Sequence, residues 1–469
     1  MLSSRPNVRP PAVAGTFYPA SRGALAAEVD AHLDRARAQL VRGGAERAPV
    51  PKAIVVPHAG YVYSGAVAAK AFVRLEPARE RVTRVVLVGP AHRVWVDGLV
   101  APEAHLLRTP LGEVEVDEGA LAGVATTVPR DARAHAAEHS LEVELPFLQR
   151  VLPRAQVVPL AVGGATPAEV ARALEELWGG EETVVVVSSD LSHYLPYSVG
   201  RAEDERTCAR ILSLEGPVAS EQACGAAGIN GLLEVARARG LRTELLDLKS
   251  SGDTAGPRDE VVGYAALAFH EPGSELERRA TILARHARAA IRQDPGGESP
   301  PPLEEAWAKE DGATFVTLRW TNEELQGCIG RLEPERPIAE DTAANAVAAA
   351  TLDPRATKLG LADLVDLDVE VSILSPLEPL DVSTEEEAVR ALRPGTDGVV
   401  LARGRRRATF LPSMWPVFHD AATLLRELKD KAGFPVEGWH DDYRVLRYTV
   451  TKSTDPAPSR VWSRSASPS

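Results

Sequence analysis

The first part of the chain alternates between short apolar runs and longer amphipathic stretches. Six strands are predicted, at residues 53–56, 85–88, 157–162, 183–188, 244–248 and 262–269. Most of them are apolar at nearly every position, which is typical of strands covered on both faces. Six helices are predicted between them, at residues 22–40, 65–75, 141–152, 167–177, 199–214 and 225–239. This alternation predicts a layered α/β domain.

The pattern changes after residues 271–274, the turn-forming sequence Glu-Pro-Gly-Ser. Beyond this point the strands alternate in polarity, as half-buried strands do, at 314–320 and 368–373. Helices are predicted at 276–291, 339–350, 385–392 and 421–431. The second part is therefore predicted to be an α+β domain, and residues 453–469, rich in Ser, Pro and Arg, a disordered tail.

Composition narrows the class of protein without indicating a function. The chain has 469 residues, 44% of them hydrophobic, and a formal net charge of −13. An acidic chain argues against a nucleic-acid-binding surface or a polybasic membrane anchor. No apolar run approaches the ~20 residues that span a bilayer, and three cysteines cannot form a disulfide framework. We therefore expect a cytoplasmic protein that binds neither nucleic acid nor a membrane.

Three histidines follow predicted strands of the first part at equivalent positions. His58 follows the first strand, His92 the second and His193 the strand at 183–188. Ligands of open α/β sheets bind beyond the carboxyl ends of the strands, so the three imidazoles should meet at one edge of the sheet. A single loop histidine is more often structural, but three at equivalent strand ends predict a functional site.

Two neutral imidazoles with one anionic ligand suit Fe(II), Cu or Zn and leave coordination positions open. Spacing does not single out the anionic ligand, and Asp190, Glu142 and Cys224 are all candidates. Cys224 precedes a predicted helix, where the helix dipole stabilises a thiolate. His139 lies three residues before Glu142 on the same side of a predicted helix, as in the wall of a site. Cys328, in a glycine-bounded turn, has no histidine in its own segment and is predicted to be structural.

Ordered motifs in both parts of the chain resemble two known families. The first part resembles the MEMO family in Val56-Pro-His-Ala-Gly-Tyr-Val-Tyr-Ser-Gly65, Gly89-Pro-Ala-His92, Glu138-His-Ser-Leu-Glu142, Ser189-Asp-Leu-Ser-His-Tyr194 and Cys224-Gly225. The second part resembles the AMMECR family in Leu325-Gln-Gly-Cys-Ile-Gly330, Asp353-Pro-Arg355, Leu367-Asp-Val-Glu-Val-Ser-Ile-Leu-Ser-Pro376, Gly398-Val399 and Phe410-Leu-Pro412. The matches cover residues 8–270 and 275–452. The chain thus resembles a fusion of the B and A components of the AmmeMemoRadiSam system, whose third component is a radical SAM protein.

The resemblance implies a fold and a set of ligands. The first domain should share the three-layer αβα fold of class III extradiol dioxygenases, and the AMMECR-like domain should be a smaller α+β domain. In the MEMO family two histidines and a cysteine hold iron or copper, and these match His58, His92 and Cys224. An Asp and a His of the same pocket match Asp190 and His193. The thiolate departs from the dioxygenases, which use a carboxylate as the third ligand.

These residues lead us to expect a metal-dependent oxidoreductase that activates O2, with Fe(II) as the first choice of metal, then Cu, then Zn. The AMMECR-like domain is expected to shape the access of a small-molecule or peptide substrate, and a radical SAM protein is the expected partner. Two alternatives stay open. One is a non-catalytic adaptor with a vestigial pocket, and the other is a zinc metallohydrolase.

The expected roles of the remaining site residues follow from the same pocket. His193 should act as the general acid or base, held in place by Asp190 or assisted by Tyr194. His139 and Glu142 should line the pocket or support the ligands.

Overall fold

The structure, a computed structural model, describes residues 7–42, 48–293, 300 and 302–459. The chain forms two compact units, the first ending at Pro272 and the second beginning at Gly273. The domain limits predicted at 270 and 275 lie on either side of this division. Within the described ranges, no helix combines the length and the apolarity needed to cross a bilayer.

The first unit alternates strands and helices along the chain. Its strands are β1 (Val8–Arg9), β2 (Ala53–Val56), β3 (Arg84–Pro90), β4 (Leu99–Val100), β5 (Leu106–Thr109), β6 (Gly112–Glu115), β7 (Gln156–Val162), β8 (Thr183–Ser188), β9 (His193–Leu195), β10 (Arg242–Ser250) and β11 (Val261–His270). Its α-helices are α1 (Arg22–Arg42), α2 (Tyr61–Phe72), α3 (Glu118–Gly123), α4 (Ala132–Ala136), α5 (Leu145–Val151), α6 (Pro167–Leu177), α7 (Tyr197–Leu212) and α8 (Ala226–Arg239).

The central sheet of this unit has the strand order β10-β11-β2-β8-β3-β7-β4, with β9 paired to β11. The inner strands β2, β8, β3 and β7 run parallel, and the outer pairs are antiparallel. Every residue of β2 and β8 is buried. Because consecutive side chains of a strand point to opposite faces, both faces of the sheet must be covered. The predicted αβα architecture is confirmed.

One predicted helix begins differently from the sequence pattern. The stretch expected to be helical from residue 141 starts as a 3-10 turn, Glu142–Glu144, and becomes an α-helix only at Leu145. Pro146 occupies the first turn of that helix. Proline is tolerated there because the first amides of a helix have no partner within the helix. The carboxylates before it therefore lie in an irregular segment rather than on a regular helical face.

In the part of the second unit that the structure describes there are two antiparallel sheets and five α-helices. Its strands are β12 (Thr314–Trp320), β13 (Leu325–Gly330), β14 (Leu367–Leu374), β15 (Glu378–Pro379), β16 (Gly398–Arg403), β17 (Arg406–Phe410), β18 (Arg444–Tyr448) and β19 (Val450–Asp455). Its helices are α9 (Glu275–Gln293), α10 (Ile338–Thr351), α11 (Glu385–Ala391), α12 (Trp415–Phe418) and α13 (Ala421–Lys431). The sheet orders are β13-β12-β14-β19 and β15-β18-β16-β17. The predicted α+β class is confirmed.

The chain stays ordered beyond residue 453, where the sequence predicts a disordered tail. Residues 453–455 complete β19, and the Asp455 carboxylate pairs with the buried guanidinium of Arg288. Arg288 also donates hydrogen bonds to the carbonyls of Leu367 and Pro456, at 2.9 and 3.2 Å. A buried cation needs such partners, so this ion pair ties the strand to the domain. Residues 460–469 of the predicted tail lie outside the described residues.

The buried imidazole of His135 is expected to make the stability of the first unit depend on pH. It lies in α4, is 3% exposed and donates its Nε2–H to the Val100 carbonyl at 3.0 Å. Burial lowers its pKa from 6.5 to about 4. The unfolded state therefore binds more protons than the folded state between these two pH values, and stability falls as the pH falls through that window.

We expect the stability advantage of the wild type over His135→Gln to shrink as the pH falls. The difference in free energy of unfolding should decrease by about 2–3 kcal/mol between about pH 7 and 4.5. Because the two proteins share all other titrating groups, the difference isolates His135. Urea denaturation at several pH values measures it, and a constant difference would contradict a buried neutral imidazole at this position.

Candidate metal centre

The parallel strands β2 and β3 bring His58 and His92 to one edge of the central sheet, on either side of β8. Their ring centroids are 5.2 Å apart. His139, from the segment between α4 and α5, has its ring centroid 5.5 Å from that of His58 and 4.7 Å from that of His92. One nitrogen from each of the three imidazoles lies within 4.8 Å of the others. Three nitrogens at this spacing can coordinate a single metal ion.

The hydrogen bonds of His58 fix which of its nitrogens carries the proton. Its Nδ1 lies 2.8 Å from the Ser188 hydroxyl oxygen. That hydroxyl has one hydrogen, which it donates to the Ser140 carbonyl at 2.7 Å or the Glu144 carboxyl at 2.9 Å. It therefore accepts from His58, so Nδ1 is protonated and Nε2 keeps its lone pair. Nε2 is the atom that lies 3.3 Å from Cys224 Sγ.

Glu138, which the sequence reasoning missed, orients His92. Its Oε1 lies 3.0 Å from His92 Nδ1, and its carboxylate also accepts the backbone amides of His92, His139 and Ser140. Burial opposes ionisation of Glu138, but the bonds from His92 and the Ser140 amide outweigh it and lower the pKa to about 2. An ionised carboxylate only accepts, so His92 is protonated on Nδ1 and its Nε2 is free to bind a metal. The feature of the sequence that points to Glu138 is that an acidic residue directly precedes His139.

Burial favours the neutral form of His58 and His139, the form that metal binding requires. It holds the pKa of His58 well below the ordinary value, with further lowering from His92 and His139. It lowers the pKa of His139 to about 4. His58 is 2% exposed, whereas the side chains of His139 and His92 are 13% and 29% exposed. The group is therefore most open on the His92 side.

Cys224 lies beside the histidine group, just before α8. Its Sγ is 3.3 Å from the backbone nitrogen of Asp190 and 3.3 Å from His58 Nε2. Burial, followed by the charge of Asp190, raises the pKa of the thiol to about 12. The stabilisation of a thiolate by the helix dipole is thus outweighed by burial, and a nearby cation is needed to favour the thiolate. The nitrogens that lie within 4.8 Å of one another belong to the three histidines, and Cys224 is adjacent to that group through His58.

His193 is not held by Asp190 in the way the sequence suggests. Its Nδ1–H donates to the Leu191 carbonyl at 2.8 Å, which leaves the lone pair on Nε2. The Asp190 carboxylate instead accepts the backbone amide of His58 at 2.8 Å, and burial raises its pKa to about 7. Burial lowers the pKa of His193. Tyr194 is 71% exposed, and its ring centroid is 5.7 Å from that of His193.

Glu142 anchors the N-terminal segment instead of lining the pocket. Its carboxylate accepts hydrogen bonds from the Arg9 guanidinium at 2.6 Å and from the amides of Ala12 and Val13 at 2.8 and 3.0 Å. The Tyr18 hydroxyl donates to the same carboxylate. These donors occupy both oxygens, so the predicted role of Glu142 in the pocket is replaced by a structural one.

Two family models match successive parts of the chain. The family model described as Memo-like protein matches residues 9–268. The chain belongs to the Memo-like family. The AMMECR1 family model matches residues 283–453, after the Memo-like domain. The predicted fusion of the two domains is confirmed.

Several MEMO1 family proteins of archaea are similar to the Memo-like domain over their whole length. The protein from Archaeoglobus fulgidus is 37% identical over 276 residues, which is 56% of this chain and 99% of the relative. The protein from Ignicoccus hospitalis is 34% identical over 286 residues, with the same coverage of 56% and 99%. The crystal structure of the uncharacterized protein PH0010 from Pyrococcus horikoshii covers 38% of this chain and 91% of its own, at 31% identity and a TM-score of 0.35.

Cys328 of the AMMECR1 domain lies on a strand, β13, and not in the predicted tight turn. Its Sγ is 3.2 Å from the Thr317 hydroxyl, and its amide donates to the Asp353 carboxylate at 2.8 Å. A Cβ on Gly327 would lie 2.0 Å from the Ala349 carbonyl oxygen. The glycine before Cys328 therefore lets α10 pack closely on the strand.

Proposed function

We propose that the Memo-like domain is a metal-dependent oxidoreductase that holds non-haem iron, or copper, at His58, His92 and His139, with Cys224 as a further ligand. The observation that supports this most is the group of three imidazoles with nitrogens within 4.8 Å of one another. In two of them Nδ1 is already engaged, so the same nitrogen, Nε2, is available. Iron or copper bound there would supply redox chemistry and activation of O2.

The donor set fits such a metal. Imidazole and thiolate ligands suit iron, copper and zinc, whereas magnesium and calcium require oxygen ligands. Ser188 and Glu138 accept hydrogen bonds from the Nδ1 atoms of His58 and His92, respectively. Metal-binding histidines usually have such a partner on the nitrogen that does not bind the metal. A cation would also favour the thiolate form of Cys224 and offset the cost of burying it.

His193 is the proposed general base. Its Nδ1–H is held by a backbone carbonyl, so the free lone pair on Nε2 can take a proton from a substrate. The lowered pKa keeps this nitrogen unprotonated at neutral pH. The backbone of His58 is fixed by Asp190, which ties the ligand loop to the segment that carries His193.

A zinc metallohydrolase is the second candidate, and the three-imidazole group favours it specifically. Three protein ligands and a water molecule are a common arrangement of catalytic zinc. His193 would then act as the base toward the water. The metal retained by the protein, and whether it consumes O2, distinguish the two functions, and a protein that binds no metal would support the adaptor alternative.

The AMMECR1 domain is proposed to shape substrate access in the same enzyme. The support for this proposal is that both domains are made as one chain. A small-molecule or peptide substrate and a radical SAM partner stay predictions. Oxygen uptake by the full chain and by a chain ending after the Memo-like domain, compared over a panel of candidate substrates, tests the role of the second domain.

Glu138→Gln is expected to weaken metal binding by about 10–100-fold, because the neutral amide no longer fixes the His92 tautomer. Titration of the metal-free chain against a competing chelator measures the affinity. The matched control is Glu113→Gln, at a surface ion pair with Arg108. Equal affinities of the two variants would contradict the assigned role of Glu138.

A further inference from the structure

The segment between β1 and α1 forms a tight turn beside the histidine group. The Gly15 amide donates to the Tyr18 carbonyl at 2.7 Å, and the Phe17 amide donates to the Val13 carbonyl at 3.0 Å. Gly15 has a φ of 86°, in the left-handed region that a side chain disfavours. These bonds give the turn one defined shape. We call residues 12–18 the strap.

Phe17 connects the strap to the metal centre. Its ring centroid lies 4.8 Å from that of His139. Its carbonyl accepts the amide of Tyr61 at 2.8 Å, just after the loop that carries His58. A Cβ on Gly60 would lie only 3.4 Å from the same carbonyl oxygen. The strap is therefore packed against His139 on one side and against the backbone that follows His58 on the other.

Glu142 holds the strap at both of its ends. The amides of Ala12 and Val13 donate to its carboxylate at one end, and the Tyr18 hydroxyl donates to it at the other. The side chain of Glu142 is completely buried. Few water molecules can compete for these bonds, so the position of Phe17 depends on a carboxylate that itself stands outside the histidine group.

We propose that the strap is a wall of the metal centre, in which Phe17 covers His139, Glu142 is the positioning residue and ligands enter from the His92 side. The exposures agree with this, since the His92 side chain is 29% exposed and that of His139 is 13%. The covering of His139 is independent of any metal. The choice of entry side rests on the proposed function.

Carbethoxylation of histidines in the metal-free full chain tests the wall. Diethylpyrocarbonate modifies accessible neutral imidazoles, and peptide mass spectrometry gives a rate for each histidine. Phe17→Ala should raise the rate at His139 severalfold relative to His105, which is exposed. Glu142→Gln should raise it in the same direction by loosening the strap, and Phe17→Trp should keep it low.

Two controls make the outcome decisive. Glu113→Gln, at the surface ion pair with Arg108, is the control for Glu142→Gln and should leave the rate at His139 unchanged. His135, 3% exposed, reports on folding, because its rate rises only if the variant opens generally. An unchanged His139 rate in Phe17→Ala would overturn the proposal. A protein that binds no metal but shows the expected rates would overturn the proposed function and leave the wall intact.

Discussion

Glu142→Ala is expected to lower the free energy of unfolding of the Memo-like domain by about 3–5 kcal/mol. The change leaves the Arg9 guanidinium, whose side chain is 8% exposed, without its carboxylate. It also removes the acceptor of the Ala12 and Val13 amides. An uncompensated buried cation and unsatisfied amides both disfavour the folded state.

Urea unfolding of the full chain, followed by hydrogen exchange so that the first unit is resolved from the second, measures this loss. The control is Glu113→Ala, whose partner Arg108 is at the surface with a side chain 52% exposed. An exposed pair of this kind contributes at most about 1 kcal/mol. Losses of equal size in the two variants would show that Glu142 is not the anchor inferred from its contacts.

His139→Ala is expected to weaken metal binding by more than about 100-fold, because loss of a supporting carboxylate alone costs about 10–100-fold and loss of a ligand should cost more. This experiment distinguishes between two sets of ligands. The structure groups His139 with His58 and His92, whereas the family resemblance implies Cys224 as the third ligand. Titration with Fe(II) or Cu(II) under anaerobic conditions measures the affinity, with His105→Ala as the control. Wild-type affinity in His139→Ala, together with loss of binding in Cys224→Ser, would support the two-histidine, one-cysteine set instead.

The positions of His58 and His92 could be predicted because they depend on local sequence and on one rule of parallel sheets. Each follows an apolar strand directly, and parallel strands end at the same edge. His139 follows no strand. It reaches the group through the packing of the irregular segment between α4 and α5, so its spacing from Glu142 predicts a place in the pocket wall but not the contact with the other two imidazoles.

Helical spacing predicts that Glu142 lines the pocket, because it considers only near neighbours along the chain. Its partner Arg9 is 133 residues away along the chain, and Tyr18 is 124 residues away. The sequence likewise predicts that Asp190 holds His193, whereas its carboxylate accepts the backbone amide of His58. Composition and periodicity predict the layers of a fold, whereas partners of buried polar groups depend on tertiary contacts.

The most direct test of the central claim is anaerobic addition of Fe(II) to the metal-free full chain, followed by metal analysis and an oxygen electrode. The predicted result is about one iron per chain, with oxygen uptake that depends on the iron and with both lost in His58→Ala. Equal iron in the wild type and in His58→Ala would contradict the site. Retention of zinc with no oxygen uptake would contradict the oxidoreductase and favour the hydrolase.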